Sequence, residues 1–233
     1  MDTGAQLGHI MEKEVRNAPF VRAAWVILIF GIASTIGYFI LRPSDELPIY
    51  HPSQLDPRLV DKSALENKGE HHIKPFRLID QEGDSVFLSD IEGKVVLTDF
   101  FFTTCGTFCP KMTTQLTRVQ EEFANDDRVL LLSHSVTPGT DSVPVLKAYA
   151  ETNGVDHRRW RLLTGDRKHI YDLARTSYFA VLDQGDGGPD DFVHTENFVL
   201  VDGQGRLRGF YDGTKAKEVD QAMKDMHKLL KGK

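Results

Sequence analysis

The chain of 233 residues is poor in cysteine, with two that lie four positions apart at Cys105 and Cys109. A scaffold held together by disulfides would need more cysteines, spread along the chain. The pair is therefore predicted to be either a redox couple or half of a metal site. The sequence also lacks a long run of Lys or Arg, and its formal net charge is −6. We expect no nucleic acid partner, because phosphate binding requires a clustered positive surface.

One long apolar run is present near the N-terminus. Residues 23–41 carry no charge, and as a helix at about 1.5 Å per residue they would span roughly 28 Å, close to the thickness of the bilayer core. A cleaved signal peptide has a shorter apolar segment that ends at a site of small residues. Here the run continues to Arg42, which predicts an uncleaved transmembrane anchor.

Basic residues are unevenly distributed around this run. Lys13, Arg16 and Arg22 precede it closely, whereas only Arg42 follows it within fifteen residues. The tendency of basic residues to remain inside predicts that residues 1–22 are cytoplasmic and the rest lies outside. For a bacterium, this orientation predicts a single-pass protein of the inner membrane with its C-terminal domain on the periplasmic side.

Residues 42–71 are predicted to form a proline-rich stalk. Four prolines fall within sixteen residues after the anchor, and this spacing resists helix and favours extended chain. In the alternative, residues 47–50 and 55–60 pack back onto the domain. The domain itself is expected over residues 72–233.

The pattern after residue 72 alternates short apolar runs with longer amphipathic ones, which predicts an α/β fold with a central mixed sheet. A helix beginning after residue 141 is predicted to be capped by Asp141, and a later one by Thr164. The predicted strands cover 76–79, 85–88, 94–102, 129–136, 161–163, 198–201 and 207–211, and the helices 110–123, 141–153, 164–175 and 216–230.

The two cysteines follow the predicted strand KVVLTDFFF directly. Cys105 falls in the loop at the carboxyl end of that strand, and Cys109 in the first turn of the next helix. A helix N-terminus stabilises thiolate, which is both a nucleophile and a metal ligand. Three intervening residues, rather than the two usual in dithiol enzymes, allow both sulfurs to face one point and still permit a disulfide. Two thiolates suit Cu(I), and Zn would also accept them.

His194 is the leading candidate for a third ligand. It comes immediately before the predicted strand at 197–201, where thioredoxin-like folds ordinarily carry a proline beside the cysteines. An imidazole in that place favours metal binding over disulfide exchange. His134 is predicted to be a core residue bonded to its neighbours, and His71 with His72 a solvated pair or a weak second metal site.

These motifs together resemble the Sco/SenC family of copper-binding assembly factors for cytochrome c oxidase. The family's C-x-x-x-C-P motif is matched by Cys105, Cys109 and Pro110, and its distal histidine by His194. The resemblance implies a thioredoxin-like fold and one copper ion, Cu(I) or Cu(II), held by the two cysteines and the histidine. It also implies delivery of copper, or of reducing equivalents, to the dinuclear copper centre of cytochrome c oxidase subunit II.

The segment at 135–150 is similar to the family's S-V-D-P-x-x-D-T-P stretch, with one departure. Thr137 stands where the family usually has Asp, whereas Asp141 is retained. This departure puts in doubt a role of the segment in orienting ligands or docking a partner. It leaves the ligand set unchanged.

Three functions are weighed. The leading one is a copper metallochaperone. The second is a membrane-tethered thiol–disulfide oxidoreductase that reduces cysteines of a partner, in which Cys105 and Cys109 would be catalytic and Cys105 the exchanging thiol. A peroxidase is disfavoured, since the related T-x-x-C motif would need Thr where Phe102 stands.

Overall fold

The computed structural model describes residues 3–41, 46–54, 70–181 and 195–232. The chain divides into two compact units, Met1–Asp45 and Glu46–Lys233. In the first, helix α1 (Thr3–Leu41) includes the stretch Val21–Leu41, whose length and apolar composition suffice to cross a membrane. The prediction of one N-terminal apolar helix of membrane-spanning length is confirmed. The predicted domain boundaries remain predictions.

The second unit contains a five-stranded mixed sheet. The central strand β3 runs parallel to β4 and antiparallel to β6, as expected for an α/β fold with a mixed sheet. A separate antiparallel hairpin precedes it, formed by β1 (Arg77–Ile79) and β2 (Ser85–Phe87). The sheet order is β5-β4-β3-β6-β7, with β3 at Val95–Phe101, β4 at Val129–Ser135, β5 at Trp160–Leu163, β6 at Asn197–Val201 and β7 at Leu207–Asp212.

The predicted helices form, but both predicted caps are wrong. Ser142 is the N-cap of the helix predicted from residue 141, and Asp141 turns its carboxylate elsewhere. Asp166 caps the next helix, accepting from the His169 amide at 2.7 Å, while Thr164 pairs with Ile79. The helices are α2 (Cys109–Glu122), α3 (Val143–Asn153), α4 (Arg167–Asp172, continued by a π-helical turn at Leu173–Ser177) and α5 (Ala216–Lys231).

The core lies on both faces of the sheet. Every residue of β3 and β4 is buried, as expected for central strands covered on both sides. Helices α2 and α5 cover one face, on which Leu97, Leu116 and Val219 pack together. The hairpin and residues 170–181 cover the other face. This arrangement leaves the carboxyl end of β3 free to form the cysteine loop.

Residues 46–54, within the segment predicted as a stalk, contact the outer edge of β7. The Tyr50 amide donates to the Leu207 carbonyl at 2.9 Å. Arg208 donates to the carbonyls of Leu47 at 2.6 Å and Pro48 at 3.0 Å. These contacts agree with the alternative interpretation for residues 47–50, in which they pack back onto the domain. Residues 55–69, which include the other segment of that alternative, lie outside the described residues.

Candidate metal centre

The cysteine loop connects β3 to α2 at the carboxyl end of the central strand. The Cys105 amide closes a turn by donating to the Phe102 carbonyl at 3.2 Å. Cys109 is the first residue of α2, and Pro110 follows it in the first turn, where a backbone amide would have no hydrogen-bond partner within the helix. Both cysteines are reduced and buried, with 8% of Cys105 and 1% of Cys109 exposed. The more accessible thiol is therefore Cys105, the one predicted to exchange with a partner.

The two thiols influence each other and differ strongly in acidity. Burial raises the pKa of Cys105, but bonds from the Cys109 thiol and from the amides of Thr107 and Cys109 outweigh it and lower that pKa to about 7. The Thr107 hydroxyl also lies 3.6 Å from the Cys105 sulfur. Burial, and then the bond to Cys105, raise the pKa of Cys109. Near neutral pH Cys105 therefore ionises first, while Cys109 keeps its proton.

A buried carboxylate, Asp99, acts on this pair from within the sheet. It shares the face of β3 that turns toward α2, because residues at alternate positions of a strand lie on one face. The Ser133 hydroxyl donates to it at 2.5 Å, and the Trp160 indole donates to Ser133 at 2.8 Å. Burial raises the pKa of Asp99 to about 7, and its negative charge in turn raises the pKa of Cys109.

Sequence reasoning missed Asp99, although a signal was present. A lone acid within the apolar strand VVLTDFF is expected to be buried, and burying its charge is costly unless hydrogen bonds or a partner compensate for it. Tyr149 was missed as well. Its hydroxyl bonds Thr113 at 2.7 Å, and burial, helped by the charges of Asp99 and the cysteines, raises its pKa to about 12. A tyrosine on an amphipathic helix gives no local sign of such surroundings.

His194 lies outside the described residues, so its role as a ligand stays a prediction. The described residues that follow it are Thr195, which is buried and accepts from the Asn197 amide at 3.1 Å, and strand β6. Because β6 is antiparallel to β3, with Thr98 opposite Val199, β6 begins at the edge of the sheet where β3 ends. The cysteine loop leaves the sheet at that same edge.

The other candidate histidines make bonds of their own. His134 is fully buried, lies 3.1 Å from the Thr98 hydroxyl and stacks on Phe100; burial lowers its pKa to about 4. It is a core residue, as expected. His71 and His72 bond different carbonyls, of Ser177 and Gln204. Within the described ranges, no group of three or more His, Cys, Asp or Glu side chains is arranged to hold a metal ion.

The donor set of the loop fits a soft metal ion. Two buried sulfurs at the start of α2, one of which ionises near neutral pH, are suited to bind one ion between them. Two protein ligands leave positions open, which a histidine is suited to fill. The same pair is also placed to form a disulfide.

Comparison with known proteins gives consistent matches. Residues 65–231 match the family model described as SCO1/SenC. The chain is 32% identical over 158 residues to the SCO1 protein homolog of Bacillus subtilis (strain 168), covering 67% of this chain and 81% of that relative.

Solved structures show the same relationship. BsSco, described as a member of the Sco family of cytochrome c oxidase assembly proteins with a disulfide switch, superposes with a TM-score of 0.59 at 30% identity, over 69% of this chain and 94% of that one. Bradyrhizobium japonicum ScoI with copper bound superposes with a TM-score of 0.54 at 25% identity, over 68% and 99% of the two chains.

Proposed function

Since the chain belongs to the SCO1/SenC family, we propose that it is a membrane-tethered copper metallochaperone. It holds one copper ion through Cys105, Cys109 and His194 and delivers it to the dinuclear copper centre of cytochrome c oxidase subunit II, or to a related copper protein. The observation that carries the proposal is the placement of two buried, free cysteines at the start of α2, with Cys105 the more acidic thiol. The copper-bound relative at 25% identity supports the choice of metal.

Loading with copper must remove a proton from the pair. Cys105 is about half thiolate near pH 7, whereas Cys109 is a thiol that must lose its proton for its sulfur to bind the ion. Burial of both sulfurs within a packed loop excludes water and competing thiols from the ion. The exposed edge of the loop, at Thr104, Gly106 and Thr107, is the side from which a partner has access.

Anaerobic titration of the full chain with Cu(I) tests this proposal. We expect one equivalent to bind tightly in the wild type, and Cys105→Ser and Cys109→Ser to lose it. His194→Ala should bind at least tenfold more weakly, since it removes one of three ligands. His157→Ala, at an exposed histidine, is the matched control and should bind as the wild type does. Full binding in all three ligand variants would contradict the proposal.

The second candidate function is thiol–disulfide exchange, which the acidity difference favours. The Cys105 thiolate would attack a disulfide of the partner and form a mixed disulfide, releasing one partner thiolate. The Cys109 thiolate, once its proton has left, would then attack Cys105, releasing the second partner thiolate and leaving Cys105–Cys109 oxidised. The partner gains two electrons, and an external thiol reductant must restore the pair. A disulfide switch in BsSco is consistent with such a cycle.

The two functions are separated by the histidine. Reduction requires only the cysteines, so His194→Ala should keep reductase activity toward a disulfide-bonded subunit II peptide. If His194→Ala nevertheless abolishes oxidase assembly in cells, copper delivery is the essential activity. If that variant supports normal assembly, reduction is the activity that cells require.

We also propose that α1 anchors the protein in a bacterial inner membrane, with Glu46–Lys233 on the periplasmic side. The apolar stretch Val21–Leu41 and the basic residues before it support this orientation. A reporter enzyme that is active only outside the cytoplasm, fused after Lys233, should be active. Activity of a cytoplasm-dependent reporter at the same place would reverse the orientation.

A further inference from the structure

Helix α5 carries a basic stripe along its outward face. Beyond Ala216, every side chain of α5 that is exposed rather than half-buried or buried is a lysine or a glutamine. At 3.6 residues per turn these positions fall on one side of the helix, and from first to last they extend over about 21 Å. The stripe is therefore a one-sided positive surface on a chain whose formal net charge is −6. Its members are Lys217, Gln221, Lys224, Lys228 and Lys231.

The acids of α5 lie outside the stripe and have partners of their own. Asp220 pairs with Arg118 of α2 at 2.6 Å, and the buried Asp225 pairs with Lys228 at 2.9 Å. Glu218 accepts from a backbone amide of β7 at 2.7 Å. The stripe lysines for which the described part of the chain provides no ion-pair partner are Lys217, Lys224 and Lys231.

Electrostatic interactions within the helix oppose this arrangement. Lys224 and Lys228 are spaced i, i+4, and Lys228 and Lys231 are spaced i, i+3, so neighbouring lysines repel one another. The helix dipole favours cations in the last turn, but it disfavours Lys217 in the first turn. A face that served only to keep the domain in solution would alternate the sign of its charges along the helix. An external anionic surface offsets this repulsion.

The chain enters the domain on the same side as α5. Leu47 packs against the core cluster to which α5 contributes Val219 and Met226. Five Cα–Cα steps separate Glu46 from Leu41, the end of the apolar stretch, and they cover at most about 18 Å when fully extended. In a chain anchored by that stretch, the α5 side is therefore the side within reach of the membrane.

We propose that the stripe docks the domain on the anionic phospholipid headgroups of the membrane that holds its anchor. Each stripe lysine is attracted to a negatively charged bilayer over about a Debye length. The short tether keeps the two surfaces at a high effective concentration, so weak attraction suffices. The inference rests on the proposed membrane anchoring, and it does not depend on copper binding.

Docking along α5 would orient the cysteine loop. Strand β6 begins at the sheet edge where β3 ends, and β7 is antiparallel to β6, so β7 ends and α5 begins at that same edge. A stripe that lies flat on the headgroups places the cysteine loop at one end of the docked face, directed along the membrane. This orientation presents Cys105 to a partner held in the same membrane.

Lysine acetylation of the full chain in lipid nanodiscs tests the inference. A water-soluble reagent and peptide mass spectrometry give the rate at each lysine, in discs of phosphatidylcholine and in discs of phosphatidylglycerol. The anionic discs should slow acetylation of Lys224 and Lys231 about fivefold. Raising the ionic strength from about 0.1 M to about 1 M should remove this protection, because the Debye length falls from about 10 Å to about 3 Å. Lys168, which is exposed on α4, is the internal control and should not change.

Two variants separate the stripe from charge in general. The stripe variant replaces three lysines by glutamine: Lys217→Gln, Lys224→Gln and Lys231→Gln. The control variant removes the same charge from other parts of the surface: Arg77→Gln, Lys94→Gln and Lys168→Gln. Protection of Lys228 should disappear in the stripe variant and persist in the control, and equal protection in both variants would overturn the inference.

Other results would overturn it as well. Equal rates at the stripe in the two kinds of disc leave no role for anionic lipid. Protection by an added subunit II domain, without protection by phosphatidylglycerol, assigns the stripe to a protein partner, and protection that grows with the concentration of the chain assigns it to a second copy. A chain that does not co-elute with the discs contradicts the anchor itself, which distinguishes that failure from an unprotected stripe on an inserted chain.

Discussion

Replacing Asp99 by Asn should change how the stability of the domain depends on pH. Asp99 is fully buried and holds its proton up to about pH 7 in the folded chain, whereas an unfolded aspartate loses it near 3.8. Between these values the folded state binds more protons than the unfolded state. The free energy of unfolding of the wild type therefore falls as the pH rises from about 4 to about 7 through this residue.

The magnitude follows from the size of the shift. Three pKa units correspond to about 4 kcal/mol at about 1.4 kcal/mol per unit. Asp99→Asn keeps an oxygen to accept from Ser133 and has no charge to bury. The variant should thus gain about 4 kcal/mol over the wild type between pH 4 and pH 8.

His134 opposes this trend in the wild type. Burial lowers its pKa from 6.5 to about 4, so the folded state binds fewer protons than the unfolded state in that window. Stability through this residue falls as the pH drops from about 6.5 to about 4. The difference between variant and wild type cancels this contribution, because both proteins retain His134.

Urea unfolding of the full chain in mild detergent measures the difference at each pH. Fluorescence of the buried Trp160 in a Trp25→Phe background reports the domain alone. Glu92→Gln, at an exposed carboxylate, makes the same change in net charge and controls for it. A difference between Asp99→Asn and the wild type that stays constant from pH 4 to pH 8 would refute the reasoning.

Two further changes test the packing around the site. Arg208→Ala removes the bonds to the Leu47 and Pro48 carbonyls and should lower the free energy of unfolding by about 2 kcal/mol. Limited proteolysis within residues 46–54 should be faster in the variant, and equal cleavage of the variant and the wild type would contradict this prediction. Gly213→Ala would bring a methyl group to 2.6 Å from the Phe198 ring and should lower stability by about 1–3 kcal/mol. Gly139→Ala, in open space, should leave the thermal midpoint unchanged. Equal midpoints in the two glycine variants would contradict the close packing of Gly213 against Phe198.

Local sequence patterns predicted most elements of the second unit. The strands around Val95–Phe101 and Val129–Ser135 are continuous apolar runs, and α5 has strict helical spacing, so each was recognisable without its neighbours. The helix caps could not be recognised from the local sequence. Asp141 and Thr164 have the right residue type for a cap, but their side chains found tertiary partners instead.

The membrane-spanning length of α1, the loop position of Cys105 and the helical position of Cys109 were determined by sequence alone, because each depends on residues adjacent in the chain. The burial of Asp99, the bonds from Thr103 to Asp141 and the packing of residues 46–54 on β7 were decided only by tertiary structure. Those contacts join residues tens of positions apart, and no local pattern of hydrophobicity or spacing encodes which distant partner a polar group will meet.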